Sequence, residues 1–178
     1  LVLDGQNMTL TSLSLDGKPL KDSDYILTDT SLTIKNIPQD KAFVLESTTL
    51  LGENRDLFGL YETEGTILVK AETEGLRRVF FCIDRPDNLA TYKTKIIANK
   101  ENYPVLLSNG VIIDSKAINN GAHFITWEDK LPKPSYLFAL VAGKLNQSIT
   151  HFKTKSCRQL PIEFYVPADA TNKCELAK

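Results

Sequence analysis

The sequence predicts an all-β fold, a sandwich or open assembly of short, mostly antiparallel strands, and three features carry that expectation. Short runs that are apolar throughout, or that alternate apolar and polar residues, recur at roughly 8- to 12-residue spacing. Turn pairs separate them, among them Asp16-Gly17, Glu64-Gly65 and Asn109-Gly110, where glycine supplies the backbone conformations that tight turns need. No internal repeat or low-complexity tract appears, so one layered architecture is expected rather than an array.

In chain order, Leu10, Leu13 and Leu15 stand among Thr and Ser in TLTSLSLDG, which reads as a half-buried strand interrupted by a bulge and ended by Asp16-Gly17. Residues 25–27 and 31–37 are the next two strands, the second alternating Leu32 and Ile34 with Thr33 and Lys35 until Pro38 stops it. A short strand at 42–46 follows, and residues 57–61 (LFGLY) are expected to pair with 66–69 across Glu64-Gly65. The run 79–83 reads as a buried core strand, and 92–98 as a half-exposed one in which Lys93 and Lys95 alternate with apolar neighbours.

Residues 105–108, Asn109-Gly110 and 111–113 give the strongest hairpin signal in the chain. His123 to Trp127 alternates again, whereas Lys130-Leu131-Pro132-Lys133-Pro134 reads as a stiff linker excluded from any central strand. Residues 136–142 are expected to be a strand buried on both faces, and 148–154 and 161–166 the last two strands. From Pro167 the composition turns polar and alanine-containing, so 168–178 reads as the start of a helix.

Length and composition bound the class. The 178 residues, 42% hydrophobic and 24% charged, suffice for one domain with a real core. Lys and Arg number 21 against 22 Asp and Glu, a net charge of -1, which gives no global field to attract nucleic acid or an anionic membrane. No apolar run approaches the roughly 18 residues that span a bilayer. Cys82, Cys157 and Cys174 lack the spacing of a zinc ribbon or a disulfide framework, and are read as reduced thiols of a cytoplasmic compartment.

Candidate chemistry concentrates in residues 66–92, TILVKAETEGLRRVFFCIDRPDNLATY. A strand's period of two would place Lys70, Glu72 and Glu74 on one side of the chain. The pair Arg77-Arg78 is expected to neutralise the neighbouring Glu72, Glu74, Asp84 and Asp87. On bare chemistry Glu72 and Glu74 form a solvated face, and Cys82, inside VFFCI, behaves as a small core hydrophobe. His123 and His151 stand apart and match no ligand pattern, so no metal is expected on this chain.

Several words of the sequence resemble the amino-terminal domain of bacterial-type aminopeptidase N, a family of zinc metallo-exopeptidases. They are LFGLY, ETEGLRR, FFCIDRPDNLATY, YPVLLSNG and WEDKLPKPSYLFALVAGKL, in the family's order over nearly the whole chain. The resemblance implies a saddle-like β domain at 1–166, lacking the family's opening strands, and a linker at 167–178 entering a thermolysin-like catalytic domain. That partner domain would supply the zinc, the His-Glu-x-x-His helix and the general base, leaving this chain inactive alone. It also implies that Glu72 is the carboxylate that binds the free α-amine of the peptide substrate. The family's glutamine lining the pocket for the first side chain falls on Lys70, a departure expected to weaken acceptance of basic first residues. The architecture alone would equally suit a freestanding β-sandwich module binding carbohydrate or protein.

Overall fold

The computed structural model describes residues 1–171. Fifteen strands occur among them: β1 (Val2–Asp4), β2 (Met8–Leu15), β3 (Lys18–Pro19), β4 (Tyr25–Leu27), β5 (Ser31–Ile34), β6 (Leu45–Leu51), β7 (Gly59–Thr63), β8 (Thr66–Lys70), β9 (Leu89–Asn99), β10 (Val105–Ser108), β11 (Val111–Ala117), β12 (Ala122–Pro134), β13 (Leu140–Gly143), β14 (Asn146–Lys153) and β15 (Gln159–Val166). They form five small sheets, ordered β1-β5-β4, β3-β2-β6, β10-β13-β8-β7, β11-β12-β9 and β14-β15, all paired antiparallel. The all-β class is therefore as expected. The bulge in β2 falls between Leu10 and Ser12 against β6, and β7 pairs with β8 across the Glu64-Gly65 turn.

Two separate cores hold these sheets. Leu3, Leu13, Leu32 and Ile34 form one; Val69, Ala71, Leu76 and Phe138 form the other. Residues 79–83 run between them and are not the buried strand expected. Their one ladder contact is an isolated bridge between Asp4 and Cys82. Phe81 and Ile83 pack on the first core, while Val79, Phe80 and Cys82 pack on the second. The run is apolar because both of its sides are covered, and it is irregular because two different clusters cover them.

Four other expectations are corrected. β10 and β11 do not form a hairpin: β10 pairs with β13 and β11 with β12, so Asn109-Gly110 is a corner between sheets. Asn109 holds that corner, donating from Nδ2 to the Leu137 carbonyl (2.9 Å) and accepting at Oδ1 from the Ala139 N–H (2.6 Å). Gly110 has φ +92°, and a Cβ there would stand 2.1 Å from the Glu128 carbonyl oxygen. Lys133 and Pro134 do lie in β12, the middle strand of its sheet, paired with Ala90 and Leu89. Proline is tolerated because β11 has ended at the Val111–Glu128 pair, leaving this end of β12 with one neighbour. Residues 136–142 split into a 3-10 turn, Ser135–Leu137, and β13, with Leu137 exposed. The strand expected at 42–46 begins only at Leu45.

At the end of the described chain, residues 168–171 form a 3-10 turn. The remainder of the helix expected at 168–178 lies outside the described residues. Among the described residues, no helix is long and apolar enough to cross a membrane.

Candidate functional site

β8 runs between β7 and β13, but β13 covers only Ile67 and Leu68, so the strand's far end pairs with β7 alone, Lys70 lying opposite Gly59. The strand stops at Lys70, which corrects the expectation that Lys70, Glu72 and Glu74 share a strand face. Ala71 enters the second core, residues 72–75 turn, and Leu76, fully buried, plugs that core again. The turn closes when the Gly75 N–H donates to the Ala71 carbonyl (2.7 Å) and the Arg78 N–H donates to the Gly75 carbonyl (3.1 Å). The Glu72–Thr73 peptide is cis. Two apolar anchors, Ala71 and Leu76, thus lift Glu72, Thr73 and Glu74 to the surface.

The fold has already committed most of the charge here. Arg77 donates from its backbone N–H and from Nε to Oδ2 of Asp84, both at 3.1 Å, and its guanidinium lies 3.3 Å from Glu74 and 4.0 Å from Asp4. Burial opposes the Arg77 charge, yet the hydrogen bond to Asp84 and the carboxylates of Asp4 and Glu74 together hold its pKa above the usual value. Arg78 pairs with Asp56 at 2.8 Å and stacks 5.1 Å from the Phe58 ring centre. Arg85 and Asp87 pair with each other at 2.8 Å. The expected neutralisation of Glu74 and Asp84 by the arginine pair is therefore found, that of Glu72 and Asp87 is not, and Asp4 and Asp56 join from distant segments.

Lys70 and Glu72 remain. Both are exposed, and neither has an ion pair or side-chain hydrogen bond among the described residues. A cation and an anion two residues apart at an open strand end can receive a zwitterionic or doubly charged ligand.

The other candidates are structural. Burial, reinforced by the carboxylates of Asp84 and Asp4, pushes the Cys82 thiol up to about 12, which suits core packing and not nucleophilic chemistry. His123 is buried with Nε2 2.8 Å from the Tyr103 carbonyl, and His151 is exposed. Among the described residues no group of three or more His, Cys, Asp or Glu side chains is placed to hold a metal ion, so they do not fit a zinc site. Asp4 went unnoticed in the sequence because only the fold brings β1 beside residue 84, through the Asp4–Cys82 bridge.

A domain of several small antiparallel sheets is the class that this geometry defines. The family model of the Peptidase M1 N-terminal domain matches residues 2–137, and the chain belongs to that family. It is 41% identical over 179 residues to aminopeptidase N of Haemophilus influenzae, covering 99% of this chain and 20% of the relative. Aminopeptidase N of Escherichia coli is 37% identical over 166 residues, covering 93% of this chain and 19% of the relative. The crystal structure of Legionella pneumophila aminopeptidase A in complex with aspartic acid superposes with a TM-score of 0.98 at 67% identity, over 99% of this chain and 21% of that one. A mutant of the M1 zinc metallopeptidase from Deinococcus radiodurans shares the fold, with a TM-score of 0.78 at 16% identity, over 96% of this chain and 41% of that one. The chain thus spans about one fifth of the length of the curated relatives it matches.

Proposed function

We propose that this chain is the substrate-recognising amino-terminal domain of a zinc-dependent aminopeptidase that removes acidic residues from peptide amino termini. The observation that carries the reading is that Lys70 and Glu72 are exposed and, among the described residues, unpaired, while Glu74, Arg77 and Arg78 around them are all engaged. In this reading Glu72 receives the α-ammonium group, since a cation removed from water needs a carboxylate partner and such charge-assisted bonds exceed neutral ones in strength. Anchoring the peptide by its amine measures off one residue from the end.

Lys70 then faces the first side chain. An ammonium group there attracts a carboxylate and repels Lys or Arg, which extends the expected weak acceptance of basic residues to a preference for Asp and Glu. The Legionella relative bound to aspartic acid supports that choice of ligand. Zinc and the hydrolytic groups belong to the catalytic domain of the full-length enzyme, and this chain alone is inactive. Reduced Cys82 and Cys157 fit a cytoplasmic enzyme.

The test is Lys70→Gln in the full-length enzyme, comparing kcat/KM on aspartyl and leucyl anilides. A charge-assisted hydrogen bond is worth about 1.5–3 kcal/mol, so the aspartyl-to-leucyl ratio should fall about tenfold or more. An unchanged ratio contradicts the assignment of Lys70.

A further inference from the structure

We infer that Arg77 and Asp84 are positioning residues: their buried clamp fixes the 71–75 turn so that the Glu72 carboxylate meets the incoming α-amine. The inference rests on the reading of Glu72 above. Glu72 has no side-chain partner among the described residues, so its place is set by its own backbone alone. That backbone is held at three points: the Gly75–Ala71 hydrogen bond, the buried Leu76, and Arg77.

Arg77 is the one held by side-chain charge, and the contacts around it are dense. One Asp84 oxygen, on a side chain with no solvent exposure, accepts from both the backbone N–H and Nε of Arg77. Nη2 of Arg77 donates to the Asp84 carbonyl at 3.1 Å and lies 3.3 Å from Glu74, inside the turn itself. Asp4 closes the cluster, accepting at Oδ2 from the Asp84 N–H at 3.0 Å. The Arg77 carbonyl in turn accepts from the Gln6 N–H at 2.9 Å. The clamp therefore grips the turn at Glu74 and Arg77, on either side of Gly75, and ties it to β1 and to the strap between the two cores.

Stability does not account for this arrangement. Desolvating an ion pair costs about what the pair returns, and well-packed apolar residues of similar volume commonly do as well or better. The second Asp84 oxygen, Oδ1, is buried without a hydrogen-bond partner, a further cost. What the clamp supplies that an apolar contact would not is one fixed orientation, because a planar guanidinium engages its acceptors in a single geometry. The precision is delivered to the turn that bears Glu72.

The experiment uses the full-length enzyme and two competitive ligands, L-aspartate and succinate, which is the same dicarboxylate without the α-amine. The ratio of their inhibition constants reads amine anchoring alone. In the apolar double variant Arg77→Met/Asp84→Leu and in the isosteric Asp84→Asn, aspartate inhibition should weaken about tenfold, succinate inhibition should stay within about twofold, and the folded state should persist by circular dichroism. A folded variant of either kind that keeps the wild-type ratio overturns the inference and leaves the clamp purely structural. Should the double variant not fold, Asp84→Asn decides. Glu72→Gln separates the two readings: if it leaves the ratio unchanged, the amine anchor falls and the clamp's role with it. If it collapses the ratio while the clamp variants do not, only the positioning role is lost.

Discussion

Gly75 lies so close over the end of β8 that a Cβ built on it would stand 2.1 Å from the carbonyl oxygen of Lys70. Its φ of -83° is open to any residue, so close approach and not backbone freedom requires glycine here. Gly75→Ala should push the turn off the strand end and cost about 1–3 kcal/mol in denaturant unfolding, as overpacking does. Gly52→Ala, where a Cβ meets nothing within 4 Å, is the control and should leave the midpoint nearly unchanged. Equal midpoints for the two variants would show that the turn yields freely.

Thiol chemistry should separate Cys157 from Cys82. Cys157 is exposed, whereas burial and the nearby Asp84 and Asp4 carboxylates push Cys82 up to about 12. Alkylation at pH 8 followed by peptide mapping should label Cys157 in the native protein and reach Cys82 only after denaturant is added. Comparable labelling of both in the native state would contradict the packing described for the 79–83 strap.

Alkaline pH should destabilise the fold through groups whose protons it holds, chief among them Tyr165 and Cys82. Burial, then the hydrogen bond to Glu163, pushes the Tyr165 hydroxyl up to about 12 from an ordinary 10.0, and Cys82 rises to about 12 from 9.0. Each folded-state value is raised, so the stabilisation is complete below the unfolded values and is lost as pH climbs from about 9 towards 12. Tyr165 donates to Glu163 at 2.7 Å near the surface, so Tyr165→Phe should cost below about 1 kcal/mol at pH 8. That cost should shrink as pH approaches 12. A pH-independent cost, measured by urea midpoints across the range, would contradict the raised value.

The inter-sheet corner gives a third stability test. Asn109→Ala removes both the donor to the Leu137 carbonyl and the acceptor for the Ala139 N–H. The loss expected is about 1–3 kcal/mol, because two backbone groups lose their partners together. If β10 and β11 formed a simple hairpin instead, the substitution would be nearly neutral.

What the sequence disclosed divides along one physical line, local against distant. The β2 bulge and the β7–β8 pairing were legible because strand period and the Glu64-Gly65 turn are local signals. Asn109-Gly110 misled because turn chemistry states that the chain reverses and does not state which strand receives it. Pro132 and Pro134 misled because a strand central to its sheet can outrun one neighbour, as β12 outruns β11. At the candidate site, charge and the family words single out Lys70 and Glu72 but say nothing of their surroundings. Glu74 and Asp84 lie within reach of Arg77 in sequence, but Asp4 and Asp56 arrive from segments 73 and 22 residues away from their arginine partners, Arg77 and Arg78.

An amine anchor at Glu72 is tested most directly by kcat/KM of the full-length enzyme on an aspartyl anilide, wild type against Glu72→Ala. Glu72 is exposed, with no ion pair or side-chain hydrogen bond among the described residues, so the variant should melt with the wild type. If the carboxylate holds the α-amine, kcat/KM should drop by about 2 kcal/mol or more, roughly thirtyfold. A Glu72→Ala enzyme indistinguishable from wild type would make this strand end scaffold and nothing else.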